Sequence, residues 1–133
     1  MGVKWLLLSS YRRIKIMNKE TKIVDAKGRT IGRIASEAAK ILCGKTSASF
    51  ERHTARTTKV KITNAKLMHI PLKKQTGKGY VRYTGYPGGL RKQRLEEIIT
   101  KKGVAEPLRL AIYGMVPANK LRAVVMRNLV IEE

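Results

Sequence analysis

The sequence predicts an α/β sandwich on a mainly parallel four-stranded sheet, and three observations carry that expectation. The run Lys22-Ile23-Val24-Asp25-Ala26 is followed by a glycine turn and then by apolar residues at helical spacing, which is how a βα unit opens. Candidate elements then follow in the order strand, helix, strand, strand, helices, strand. An apolar content of 43% over 133 residues is enough for one core without staples, and neither a repeat nor a linker divides residues 17–133.

Taken in order, residues 1–16 read as an extension. Trp5-Leu6-Leu7-Leu8 is too short for a secretory apolar region, and no small-residue cleavage site follows it. The native product is expected to begin at Met17; the competing view is a basic arm, through Arg12, Arg13 and Lys15, that folds on a partner. After the first strand, Lys27-Gly28-Arg29 makes the turn and Thr30 stands where a helix cap belongs. Ile31, Ile34, Ala35, Ala38, Ile41 and Leu42 mark the buried stripe of a helix that Gly44 stops. Gly32 is expected to let the start of that helix pack closely.

Val60 and Ile62 alternate with Lys59, Lys61 and Thr63 as a second strand, and residues 65–68 suit one helical turn. Residues 73–79 show no periodicity and are expected to form a mobile loop. A third strand over residues 79–84 places Tyr80, Arg82 and Thr84 on one face. A helix is predicted over residues 94–102, with Leu95, Ile98 and Ile99 as its stripe and Gly103 at its end. Glu106-Pro107 opens another, broken at Gly114-Met115-Val116-Pro117. Asn119 is placed to cap a last helix through Leu121, Val124 and Val125, before the strand Leu129-Val130-Ile131.

Charge bounds the partners. There are 29 Lys and Arg against 9 acids, a net charge of +20, and such a surplus repels itself in a compact chain unless a polyanion is bound. Between Glu51 and Glu96 no acid occurs, while twelve Lys and Arg do. Within that interval lies Tyr83-Thr84-Gly85-Tyr86-Pro87-Gly88-Gly89-Leu90, whose glycines supply positive-φ turns and bare backbone. A solvated surface turn is the ordinary fate of a Gly/Pro cluster. The missing acids decide for a loop that lies on a phosphate backbone. Aromatics are only 5%, too few for rows of stacking platforms, so the expected target is folded RNA or DNA held through phosphates.

Enzyme constellations are not found. Gly28 and Gly32 do not complete a dinucleotide fingerprint, no complete G-x-x-x-x-G-K-[ST] phosphate loop occurs, and neither G-x-S-x-G nor H-E-x-x-H is found. Asp25, the only Asp, is expected to pair with a cation or tie down the glycine turn. Cys43, alone of its kind, allows no internal disulfide and reads as a small buried residue near a helix end. With His53 and His69 it matches no zinc spacing, so no metal is expected. No apolar run approaches membrane-spanning length.

Val24-Asp25-Ala26-Lys27-Gly28-Arg29-Thr30-Ile31-Gly32-Arg33-Ile34-Ala35-Ser36, Ile62-Thr63-Asn64-Ala65-Lys66, the block around Thr84-Gly85-Tyr86-Pro87-Gly88-Gly89, and Gly114-Met115-Val116-Pro117 with Asn119-Lys120-Leu121 carry a resemblance. Over residues 24–131 the chain resembles the bacterial-type large-subunit ribosomal protein L-thirteen family. That resemblance implies a three-layer α/β/α sandwich domain that binds large-subunit rRNA and supports subunit assembly beside neighbouring ribosomal proteins. It implies no enzymatic activity and no cofactor. The chain departs from the family's acidic H-x-D-x-G-D-like segment after His53, where Ala55, Arg56, Thr57 and Thr58 stand, and it lacks the family's histidine-containing tail after Glu133.

Joined to the charge pattern, the expected RNA contacts are these. Lys27, Arg29, Arg33 and Lys45 serve from the first βα unit, with Arg52 and His53 beyond it. Lys73, Lys74, Lys78 and Arg82 form a clamp, and Tyr83, Thr84, Gly85, Tyr86, Gly88 and Gly89 form the apposed loop. Arg91, Lys92, Lys120 and Arg122 extend the footprint. The expected setting is cytoplasmic, in a ribosome of bacterial or organellar type, with mRNA left open as a further partner and neither a membrane nor a small-molecule substrate. The rivals are a free RNA- or DNA-binding regulator and, further behind, a small nucleotide-dependent transferase.

Overall fold

The structure, a computed structural model, describes residues 20–55 and 57–133, so the expectations for residues 1–16 and for Arg56 lie outside the described residues. Strand β1 (Thr21–Asp25) leads through a turn to helix α1 (Ile31–Leu42), as the periodicity predicts. Strand β2 (Lys59–Thr63) runs parallel to β1, with Thr21 opposite Lys59 and Asp25 opposite Thr63. The last strand, β5 (Leu129–Ile131), runs parallel to β2 on its other side. The core sheet therefore has the order β1-β2-β5.

Alternation decides which side of this sheet is covered. Val24, Val60 and Ile62 point to one face and are buried against Ile34, Ala35, Ala38 and Leu42 of α1. Helix α4 (Ala105–Met115) packs on α1 and adds Leu108 and Ile112 to the same core. Each such side chain, fully withdrawn from water, contributes about 1.5–3 kcal/mol before chain entropy is subtracted. On the opposite face Ile23 is 69% exposed and Val130 46%, so among the described residues helices cover one side of the sheet.

The mainly parallel α/β architecture stands, but the core sheet has three strands among the described residues, not four. The predicted third strand is β3 (Gly79–Tyr83), and it pairs antiparallel with a strand the sequence did not suggest, β4 (Leu90–Arg94), in a separate two-stranded sheet. A short loop can join antiparallel neighbours, whereas joining the parallel sheet requires a crossover. Every residue of β4 is exposed, so no apolar alternation announced it.

The stretch predicted as a mobile loop is instead helix α2 (Leu72–Gly77). The Pro71 carbonyl accepts the amides of Lys74 and Gln75 at 2.8 and 3.2 Å, and the Gln75 side chain donates to the Ile70 carbonyl at 3.1 Å. This helix buries no residue, which is why hydrophobic periodicity could not find it. Helix α3 (Leu95–Lys102) follows β4 directly, anchored by buried Leu95 and Ile98. Helix α4 continues through Gly114 to Met115 before Val116 leaves helical geometry. Helix α5 (Arg122–Met126) starts later than expected: Asn119 only offers its carbonyl to the Arg122 amide, at 3.1 Å, and does not cap the helix with its side chain.

Candidate nucleic-acid interface

The β3–β4 turn is built as its glycines require. Gly85 and Gly88 hold φ of 89° and 72°, in the left-handed region that costs any L side chain. The Thr84 amide donates to the Gly89 carbonyl at 3.2 Å and the Gly89 amide to the Tyr86 carbonyl at 2.9 Å. A Cβ on Gly89 would run into Thr84 Oγ1 and lie 2.9 Å from the Tyr86 carbonyl oxygen, so only glycine fits this closure. The result is a tight loop whose main chain is uncovered, flanked by Tyr83 and Tyr86 at 62% and 76% exposure.

Beneath the loop, cations stand without counter-charge. Register places Arg82 directly opposite Arg91 and Val81 opposite Lys92. Like charges facing one another across a strand pair destabilise it. Lys73 and Lys74 are exposed on α2 at the base of the hairpin, and the Lys78 ammonium lies 5.3 Å from the centre of the Tyr80 ring. Tyr80 is half-buried, and that burial pushes its phenol above the ordinary tyrosine value. Among the described residues no ion pair involves residues 67–95, although seven Lys and Arg lie there. The glutamates that do pair reach Arg29, His53, Lys61, Lys66 and Lys102 instead.

The first βα unit divides its predicted contacts. Arg29 is engaged: its guanidinium meets the Glu37 carboxylate and donates to the Asp25 carbonyl at 3.4 Å. Arg33 and Lys27 are exposed. Arg33 shares a shallow depression along α1 with Gly32, Ser36 and Lys40. Lys40 was absent from the expected contacts, yet it follows Arg33 by two helical turns and lies on the same face. Gly32 is not a packing glycine, because a Cβ there would meet open space. Thr30 occupies the cap position with extended backbone, but its hydroxyl makes no capping bond. Asp25 ties down the turn: its Oδ1 accepts the Lys27 amide at 3.1 Å and the Asn64 side-chain amide at 3.0 Å. Those two bonds, Asn64 first, lower its pKa below the ordinary carboxylate value. Asn64 itself sits at φ 57°.

The remaining predicted residues are scattered. Lys45 and Arg52 are exposed around an open cavity at the C-terminal end of α1, and Lys120 is exposed in the segment between α4 and α5. His53 is exposed, with Nε2 3.5 Å from the Glu51 carboxylate. Arg122 is committed to the fold. It donates to the Val116 and Pro117 carbonyls at 2.7 and 3.1 Å and stacks over Tyr113 at 4.4 Å, fastening the α4–α5 connection. Among the described residues no three His, Cys, Asp or Glu side chains gather to hold a metal, and no helix is long and apolar enough to cross a membrane.

Fold and site together define a small basic α/β protein that carries an acid-free cationic hairpin. The family model described as Ribosomal protein L13 matches residues 19–131. Relatives named large ribosomal subunit protein uL13 from Symbiobacterium thermophilum and Bacillus cereus are 41% identical over 107 residues, 80% of this chain and 74% and 73% of theirs. The one from Marinomonas sp. is 38% identical over 99 residues, 74% of this chain and 69% of its own. The chain belongs to the ribosomal protein L13 family, a family of ribosomal structural proteins and not of enzymes.

Proposed function

We propose that this chain is a structural constituent of the large ribosomal subunit, a single rRNA-binding domain over residues 17–133 that holds folded large-subunit rRNA and supports its assembly beside neighbouring ribosomal proteins. The observation that supports this most is the uncompensated charge of the hairpin: Arg82 faces Arg91, and neither has a carboxylate partner among the described residues. A phosphate between two such arginines turns a repulsion into two charge-assisted hydrogen bonds. The α2 lysines and the bare turn at residues 84–89 extend the same surface, which suits recognition by shape and backbone position more than by base sequence. The relatives' names place them in the large subunit, which favours rRNA over mRNA as the partner.

Titration of the full chain against large-subunit rRNA across salt concentrations tests this. For ~6 phosphate contacts, log affinity against log salt falls with a slope near −4 to −5. A flat response sinks the proposal. Co-sedimentation with large subunits through a high-salt wash separates a ribosomal constituent, which stays bound, from a free regulator, which is stripped off.

A further inference from the structure

We infer that the cavity between residues 50–55 and the C-terminal end of α1 receives a single nucleobase turned out of the bound RNA; the inference rests on the RNA-binding reading above. The cavity has a volume of about 430 Å³, within the range of small-ligand pockets. Its inner wall is aliphatic, formed by Leu42, Val116 and Val125. Phe50, the only phenylalanine in the chain, stands at its side and remains 37% exposed. A flat aromatic face over an aliphatic floor is the environment in which an unstacked base is held.

The rim supplies what a nucleotide needs beyond its base. Lys45 and Arg52 line the opening, both exposed and neither in an ion pair among the described residues; Glu51 also lines it, and its carboxylate accepts from the Thr54 hydroxyl at 2.9 Å and lies 3.5 Å from His53 Nε2. Two cations at the mouth suit the phosphates on either side of an extruded nucleotide. Asn119, also at the rim, makes no side-chain hydrogen bond among the described residues, and its amide offers both a donor and an acceptor to a base edge. An aliphatic peptide would leave the cations unused, and a bare phosphate would leave the apolar wall empty. A free mononucleotide shares the chemistry, so the experiment must separate it from RNA.

Cys43 lies on the cavity wall and is the only cysteine, so its alkylation by iodoacetamide reports occupancy. Burial pushes its thiol pKa up, so the reaction is run at about pH 8.5 to populate thiolate. The full chain is alkylated alone, with each of the four nucleoside monophosphates, and with large-subunit rRNA, for wild type, Phe50→Leu and Arg52→Ala. We expect rRNA to protect Cys43 strongly and monophosphates to protect it only at much higher concentration. Phe50→Leu should weaken rRNA binding by roughly 5- to 150-fold, the worth of one stacked base, with the salt slope unchanged. Arg52→Ala should lower that slope by about one. Equal Cys43 reactivity with and without rRNA, or wild-type affinity in Phe50→Leu, overturns the inference while a steep salt slope leaves the ribosomal reading standing. Protection at low monophosphate concentration and none by rRNA overturns it in favour of a free-nucleotide site. Loss of rRNA binding by wild type itself removes the reading on which both depend.

Discussion

The parallel core and the β3–β4 hairpin follow opposite rules of construction. In the core, Val24, Ile34, Val60, Ile62, Leu108 and Ile112 are each 3% exposed or less, and burial holds the strands in place. Between residues 72 and 94 not one residue is buried. There the chain is shaped by backbone: a proline-started helix turn, two left-handed glycines, and a register that opposes arginine to arginine. The difference teaches where stability resides and where charge is left uncompensated. The core contributes the apolar area that folds the domain, and that stability lets the hairpin carry a cationic surface unfavourable to itself.

Substitutions can break or sharpen that contrast. The largest effect is expected in the core, where Leu108→Ala should cost about 2–5 kcal/mol, read as a lower urea midpoint, with rRNA affinity unchanged under conditions where the variant is still folded. Gly89→Ala comes next. Its Cβ meets the Tyr86 carbonyl at 2.9 Å, so the turn must reshape, at a cost of about 1–3 kcal/mol local to the hairpin. Filter binding should show a large loss of rRNA affinity while the core's thermal transition moves little; a matching collapse of the core would mean the two regions are one cooperative unit.

Arg91→Gln gives the sharpest separation, because two signs oppose each other. Relieving the Arg82–Arg91 opposition should raise thermal stability by about 0.2–1 kcal/mol. The same change should lower rRNA affinity and reduce the salt slope by about one. If stability falls instead, the arginines are satisfied within the protein and the hairpin is not a display surface. The smallest effect belongs to Asp25. Hydrogen bonds from Asn64 and Lys27 lower its folded-state pKa below the unfolded value of 3.8. Its contribution is therefore fully present above that value and is lost as pH falls through the lower folded pKa. Asp25→Ala should therefore be slightly less stable than wild type near neutrality, read as a lower urea midpoint by circular dichroism, and the two should converge as the pH falls into the acidic range; a gap that persists unchanged at acid pH would contradict the assignment.

How much was legible beforehand follows the same division. Helix α1 and strands β1, β2 and β5 were readable because burial imposes a period on sequence: 3.6 residues for a helix against a sheet, two for a strand with one covered face. Helix α2 and strand β4 impose none, since each exposes nearly every residue, and propensity alone could not separate them from loop. The expected contacts fared likewise. The exposed cations on α2 and the hairpin were visible as an interval without acids. That Arg29 would turn to Glu37, that Arg122 would fasten the Val116 and Pro117 carbonyls, and that Lys40 would stand beside Arg33 depended on spatial neighbours.

By itself the sequence determined an α/β domain with an apolar core and an acid-free cationic stretch around a glycine turn, because composition and periodicity are properties of the chain read in order. Only the tertiary structure decided that Gly79–Tyr83 would leave the parallel sheet, that one face of that sheet would stay open among the described residues, and which arginines would be free. Those outcomes turn on which groups meet across long separations in the chain, and a hydrogen bond or ion pair is set by distance in space, which no spacing along the sequence records.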